Sequence, residues 1–332
     1  MKASKVILRA AVIGALATAP SLATAQGAAA PAAAKPAAAA AAAKAAPAAK
    51  SFATPEEAGK ALADAVRAKD ITALLAVVGP SAKSWLFTGD DVSDANDWKR
   101  FIAAYEQKNA IKKTSDTKAE LEVGNDGWPF PAPLVKGASG WAFDAESGRE
   151  EVLNRRVGRN ELDAIQTILA IVDAQREYAA TDADGNGYAD YARRFRSTPG
   201  KKDGLYWEDA SGKTPSPLGP MVATAAKEGY GKKTDGKAAP EGPQPYHGYY
   251  YKILTAQGKD AKGGAYDYMV SGKLLGGFAI VAWPATYRNS GVVTFVVNHD
   301  GVVFEKDLGP QTASVAAAMT RFNPDTTWRK AE

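Results

Sequence analysis

The chain has 332 residues, 45% of them hydrophobic and 23% charged, with no cysteine and a formal charge of +4. The absence of cysteine excludes disulfides, a lipidated cysteine and thiolate ligands for zinc. The first 50 residues carry six positive charges and no acid, leaving −2 for residues 51–332, so that part lacks the basic balance of a nucleic-acid binder.

The amino terminus reads as a secretory signal peptide over residues 1–25. Lys2, Lys5 and Arg9 make a positive start, Ala10 to Ala19 a short apolar stretch, and Ala23-Thr24-Ala25 a small-x-small cleavage site. The stretch is shorter than the roughly 18–20 apolar residues of a membrane span, and no later segment reaches that length. The expectation is a periplasmic or secreted protein cut near Ala25, with no transmembrane segment in the mature chain. Residues 26–50 read as a disordered spacer. Positions 27–50 hold 17 Ala, three Pro and three Lys, and Pro31, Pro36 and Pro47 interrupt any long helix. The remaining 282 residues exceed the roughly 100–200 of one domain. Two are expected, over 51–148 and 149–332.

Thr54, Pro55 and Glu57 predict a capped helix start, with Thr54 and Glu57 spaced as a capping box. Asp70 opens a second helix stopped by Gly79-Pro80. A third is expected over Asp97 to Lys108, with Trp98, Phe101, Ile102 and Tyr105 on one face. Strands follow at Ala119–Val123, Trp128–Val135 and Gly140–Asp144. Ser147 to Gly158 reads as a charged connection with a bend at Gly158. A long helix then runs from Asn160 to Tyr178, its stripe drawn by Leu162, Ile165, Leu169 and Val172 with Ile168 and Ile171 beside it. An acidic loop occupies 182–190. Tyr191–Phe195 reads as a short helix, 197–220 as a long loop and Met221–Lys227 as a helix. Strands are expected at Tyr249–Leu254, Ala265–Val270, Phe278–Trp283, Val292–Val297 and Val302–Lys306, the last two joined by a turn containing Asp300-Gly301. Gln311 to Arg321 closes the chain as a helix. Helices followed by antiparallel strands, twice over, make the fold class α+β.

Three resemblances can be attached to these segments. Short helices leading to the Gly140-Trp141-Ala-Phe143 strand resemble the nuclear-transport-factor-2-like cone over residues 52–145, which implies a pocket. Trp85, Trp98, Trp128 and Trp141 are aromatic enough to line one, and equally suited to a core. Leu153-Asn-Arg-Arg156, Tyr246-His-Gly-Tyr-Tyr-Tyr251, Gly277-Phe-Ala-Ile-Val-Ala-Trp-Pro284, Asn289-Ser-Gly291 and Asn298-His-Asp-Gly301 resemble the bacterial secreted family of domain of unknown function 2950 (DUF2950), across roughly 52–330. Residues 159–306 resemble the globular part of type IV pilins and pseudopilins, which implies a long helix packed on an antiparallel sheet with an Asp-Gly hairpin. The charged segment Glu150–Gly158 stands where pilins carry an apolar helical half, so ordinary pilus polymerisation is not expected.

Candidate chemistry is sparse. Asp182, Asp184, Asn186 and Asp190 take positions 1, 3, 5 and 9 of an EF-hand-like loop, with Gly187 at position 6. Arg193 stands where a bidentate glutamate belongs. Ca²⁺ binding and an Asx-type turn both fit this spacing. Tyr246, His247, Tyr249, Tyr250 and Tyr251 form an aromatic run able to contact a sugar or peptide, although strand alternation sends part of it to the core. His247 and His299 are the only histidines. Arg155, Arg156 and Arg159 can meet an anion or bridge the two domains. Gly212-Lys213-Thr214 is no P-loop, because Trp207 stands where its first glycine belongs. No G-x-S-x-G elbow occurs, and no catalytic constellation is found. The expected function is non-catalytic contact with another envelope or secreted protein in surface assembly. The alternative is a small-molecule binder or hydrolase using a pocket in the first domain. No nucleic-acid partner is expected, and the only cofactor considered is Ca²⁺.

Overall fold

A computed structural model describes residues 49–209, 213–231 and 243–331. The segments expected as a signal peptide and, nearly all of it, as a spacer lie outside the described residues. Those that are described form α-helices and antiparallel sheets, an α+β fold.

The first half opens with α1 (Pro55–Arg67), entered through the expected capping box: Glu57 N donates to Thr54 Oγ1 at 3.2 Å, and Ala53 N donates to Glu57 Oε2 at 3.1 Å. Helix α2 (Ile71–Val78) is capped by Asp70 and ends at Gly79, whose φ of +116° favours glycine. A 3₁₀ turn leads into α3 (Lys83–Leu86). Helix α4 (Asp91–Gln107) begins six residues before the expected Asp97, because the Asp90 carboxylate caps Ser93 N at 3.0 Å.

One sheet follows: β1 (Asn109–Lys113), β2 (Lys118–Val123), β3 (Trp128–Pro129), β4 (Leu134–Gly137) and β5 (Gly140–Phe143), in the order β1-β2-β4-β5 with β3 also on β2. The strand expected over Trp128–Val135 is split in two. Pro129, Pro131 and Pro133 each lack the N–H a continuous strand would need there. Strand β1 was not anticipated from the sequence. Its burial alternation is faint, with only Ile111 half-buried.

Helix α5 (Ala145–Ala180) is 36 residues long and overturns the expected connector and bend. Asp144 caps Ser147 N at 3.1 Å, no proline interrupts the run, and Glu151 and Arg155 pair one turn apart at 2.5 Å. Those contributions, with packing at both ends, outweigh the cost of one glycine at 158. The buried stripe is Ala164, Ile168, Ile171, Gln175 and Tyr178, whereas Leu162 and Leu169 are exposed. Val172 is buried and Ile165 half-buried, as expected, but a row containing Ala and Gln looks less apolar than its neighbour, and the sequence reading therefore centred the stripe too far towards Leu162 and Leu169. Gln175 belongs inside because it accepts from Ala192 N and donates to Ala192 O, both at 2.8 Å. The same pair replaces the helical bonds that Tyr191–Phe195 would make, and this segment is extended, with a bridge from Tyr191 to Leu274.

Helix α6 (Gly219–Glu228) precedes β6 (Tyr249–Leu254), β7 (Ala256–Gln257), β8 (Tyr266–Asp267), β9 (Met269–Val270), β10 (Lys273–Leu274), β11 (Ala279–Pro284), β12 (Val293–Asn298) and β13 (Val303–Asp307). The expected Asp-Gly hairpin joins β12 to β13, with Gly301 at φ +80°. Helix α7 (Thr312–Ala318) is shorter than expected, because the chain extends again at β14 (Arg321–Phe322), parallel to β7. With β15 (Arg329–Lys330) the main sheet has the order β15-β13-β12-β11-β6, and α5 packs across β12 and β11.

Two hydrophobic clusters result. One holds Leu62, Trp85, Leu121, Leu134 and Phe143, with Val152 and Leu153 of α5 packed on it. The other holds Ile168, Ile171, Tyr249, Phe278 and Phe295. The expected boundary at 148/149 falls within α5, which serves both, and the described residues fall in one compact unit. Polar bonds join the clusters: Thr286 Oγ1 donates to Thr88 O at 3.0 Å, and Asn96 Nδ2 to Glu228 O at 2.8 Å. Among the described residues, no helix is long and apolar enough to cross a membrane.

Candidate functional site

Two clefts meet along α5. The larger, about 510 Å³, gathers side chains from four elements and one loop. Trp85 comes from α3, Trp98 and Phe101 from α4, Trp128 from β3, Phe130 from the following loop, and Arg155, Arg156 and Arg159 from α5. Trp98 and Phe101 share a helical face, with ring centroids 6.2 Å apart and edge-on, and Phe101 meets Phe130 at 5.6 Å. The Arg155 guanidinium stands 5.6 Å over the Trp128 ring. Arg159 Nη2 donates to Asp97 Oδ2 at 3.1 Å, and Arg100 donates to the same carboxylate.

Arg156 differs from its neighbours in being buried. Its Nη1 donates to Trp85 O and to Asn289 Oδ1, each at 2.6 Å. Burial pulls its pKa below the ordinary arginine value, while Asp94 and Asp97 oppose that shift. Asp94 is buried nearby and accepts from Thr88 N at 3.0 Å and Thr88 Oγ1 at 2.8 Å. Burial nevertheless dominates, and its carboxyl is pushed up to about 6.

The smaller cleft, about 330 Å³, shares Arg100 and Arg159 with the first. Here His247 Nδ1 lies 3.0 Å from Asp163 Oδ2, and Nε2 lies 3.0 Å from Glu228 Oε2. A neutral imidazole has one N–H and can donate to only one of these carboxylates. Tyr230 donates to Asp90 Oδ2 at 2.8 Å, and the same oxygen accepts from Gly248 N at 3.0 Å. Burial raises the Tyr230 phenol well above its ordinary value, helped by Asp90. His247 adopts a φ of +51°, unusual for a residue with a side chain, and Gly248 follows at +75°. A Cβ on Gly248 would lie 2.5 Å from Asn160 Nδ2, so this tight turn needs its glycine.

The sequence candidates scatter around these clefts. His247 lines the smaller one, and Tyr246 packs beside it with ring centroids 4.2 Å apart. Tyr249 is fully buried, and its hydroxyl donates to Val293 O at 3.0 Å, which makes it core. Tyr250 packs on Trp283 at 5.7 Å, and Tyr251 donates to Tyr246 O at 3.3 Å. Trp85, Trp98 and Trp128 line the larger cleft, while Trp141 is buried in the core. His299 stands apart from His247, between Tyr268 and Phe278.

The acidic loop brings Asp182, Asp184, Asn186 and Asp190 together through its own bonds. Asp182 accepts from Asn186 N at 2.9 Å and Gly187 N at 3.0 Å, and Asn186 Nδ2 donates to Asp184 at 2.7 Å and Asp190 at 2.8 Å. Two further bonds are of the Asx-turn kind, Asn186 N donating to Asp184 Oδ1 at 3.3 Å and Tyr188 N to Asn186 Oδ1 at 3.0 Å. Among the described residues, no group of three or more His, Asp or Glu side chains is placed to hold a metal ion.

Sequence reasoning missed Asp94, Phe101, Phe130, Asp163, Glu228 and Tyr230 as cleft residues. The spacing of Trp98 and Phe101 was the available signal for α4. Nothing local marks Glu228 or Asp163, which meet only through His247.

The fold and clefts define an α+β protein with an aromatic, arginine-bordered cavity beside a carboxylate-flanked histidine. Residues 49–331 match the family described as a protein of unknown function (DUF2950), and the chain belongs to that family. No curated protein and no solved structure matches the chain.

Proposed function

We propose that this protein binds a small molecule with a flat apolar body in the larger cleft. The observation that carries this reading is the convergence of Trp85, Trp98, Trp128, Phe101 and Phe130 on one cavity of about 510 Å³. Aromatic residues acting only as core fill their space to near-crystalline density, whereas these surround a volume in the range of ligand sites. Titration with 2-naphthamide, a neutral flat probe, tests it. Trp98 is half-buried and Trp128 is 38% exposed, so truncating either leaves the core intact. Trp98→Ala and Trp128→Ala should each weaken binding about tenfold, the loss of roughly one aromatic contact face. Absence of binding, or binding unchanged in both variants, contradicts the reading.

A second reading is contact with another envelope or secreted protein, in a chain exported after cleavage near Ala25. It is favoured by α5, which packs on β12 and β11 and exposes Leu162 and Leu169, seven residues apart. Photo-crosslinking from position 162 in living cells should capture one protein reproducibly. Its loss in Leu169→Lys supports this reading, and an empty result counts against it.

A further inference from the structure

The larger cleft contains donors that its own walls do not satisfy. Arg156 is only 9% exposed, and a buried cation ordinarily carries a carboxylate partner. Among the described residues it forms no ion pair. Nη1 is satisfied by two neutral oxygens, Trp85 O and Asn289 Oδ1, and no protein group accepts from Nε or Nη2. The nearby acid, Asp94, is turned to Thr88 instead. Trp85 is 1% exposed, lines the same cleft, and has a buried indole N–H with no hydrogen-bond partner. An orphaned buried donor costs about 1–3 kcal/mol, and native folds rarely retain one without a use. The two residues are bonded to each other through the Trp85 carbonyl, and both line the cleft.

We propose that the ligand of this cleft is an aromatic or similarly flat carboxylate, its oxyanion received by the free edge of the Arg156 guanidinium, beside the Trp85 ring. This rests on the ligand-binding reading above and adds the charge of the ligand to it. A planar carboxylate matches the fork of donors that arginine presents, and charge-assisted bonds of this kind are the strong ones. The remaining cations do not compete for this role. Arg155 is paired with Glu151, and Arg100 and Arg159 with Asp97. They border the cleft with carboxylates in direct contact, whereas the buried Arg156 has only the through-space attraction of Asp94 and Asp97.

The test compares 2-naphthoate with the neutral 2-naphthamide, which has nearly the same shape, by calorimetric titration of the full chain at neutral pH. The carboxylate should bind at least about tenfold tighter. Arg156→Met should remove that preference, bringing the two probes to within about twofold of each other, while Arg156→Lys restores part of it. The two-probe comparison on the unaltered chain stands even where Arg156→Met fails to fold. Equal affinity for both probes overturns the proposed charge but leaves the aromatic cleft as a ligand site. Failure of both probes to bind overturns the ligand-binding reading and this inference with it.

Discussion

At Asp94, burial and hydrogen bonding pull one carboxyl in opposite directions. Burial wins, and the group titrates near 6 in the folded chain against an ordinary 3.8. The folded state therefore favours the protonated form. That contribution is fully present below 3.8 and is lost as pH rises through 6. A shift of this size corresponds to on the order of 2–3 kcal/mol. Asp94→Asn keeps an acceptor for Thr88 and removes the titration. Urea denaturation should show the variant gaining on the parent by that order of magnitude between about pH 4 and pH 7. A constant difference between the two chains across that range contradicts the assignment. Asn289 is the second residue on which the cleft depends. Its amide accepts from Arg156 at 2.6 Å and donates to Ser84 O at 3.0 Å and Phe87 O at 2.5 Å. Asn289→Ala leaves a buried guanidinium short of an acceptor and should cost about 2–3 kcal/mol in the same assay.

At the scale of elements, α5 is the part whose sequence was hardest to read. Its two glycines have opposite meanings. Gly148 lies against the loop that carries Phe130, and a Cβ there would fall 2.6 Å from Ala132 Cα. Gly158 has open space around it. Gly148→Ala should destabilise by about 1–3 kcal/mol because backbone must move. Gly158→Ala should stabilise by about 0.5–1 kcal/mol, as expected for an unstrained helix interior. Thermal melts of the two variants read the contrast, and a loss in Gly158→Ala would contradict a continuous helix. The caps of α1 and α2 and the Asp-Gly hairpin were legible because each is decided within four or five residues. The true buried stripe of α5 was not. Gln175 lies on it for the sake of Ala192, 17 positions away, and a polar residue satisfied at that distance looks like surface in the sequence.

For the whole molecule, the α+β class followed from the order of helices and strands, because each strand and helix has its own periodicity. The cleft did not, since it is assembled from pairs far apart in the chain. Arg156 meets Asn289 across 133 positions, and His247 meets Asp163 across 84. Four tryptophans could be named as lining or core, yet only packing separates the three that border the cavity from Trp141. The polar bonds between the two hydrophobic clusters, with α5 spanning both, predict unfolding as one transition. Scanning calorimetry of the chain should give a single endotherm, and two resolved endotherms would contradict that coupling.

The central claim is that a ligand enters the cleft of Trp85, Trp98 and Trp128. The chain has seven tryptophans, and each indole N–H gives its own nitrogen-correlated proton signal. Following those signals while adding 2-naphthoate reads every one at once. The account predicts that Trp85, Trp98 and Trp128 shift together in a saturable manner, while Trp141, Trp207, Trp283 and Trp328 stay in place. Shifts confined to the latter four, or no saturable shift at Trp85, would contradict it.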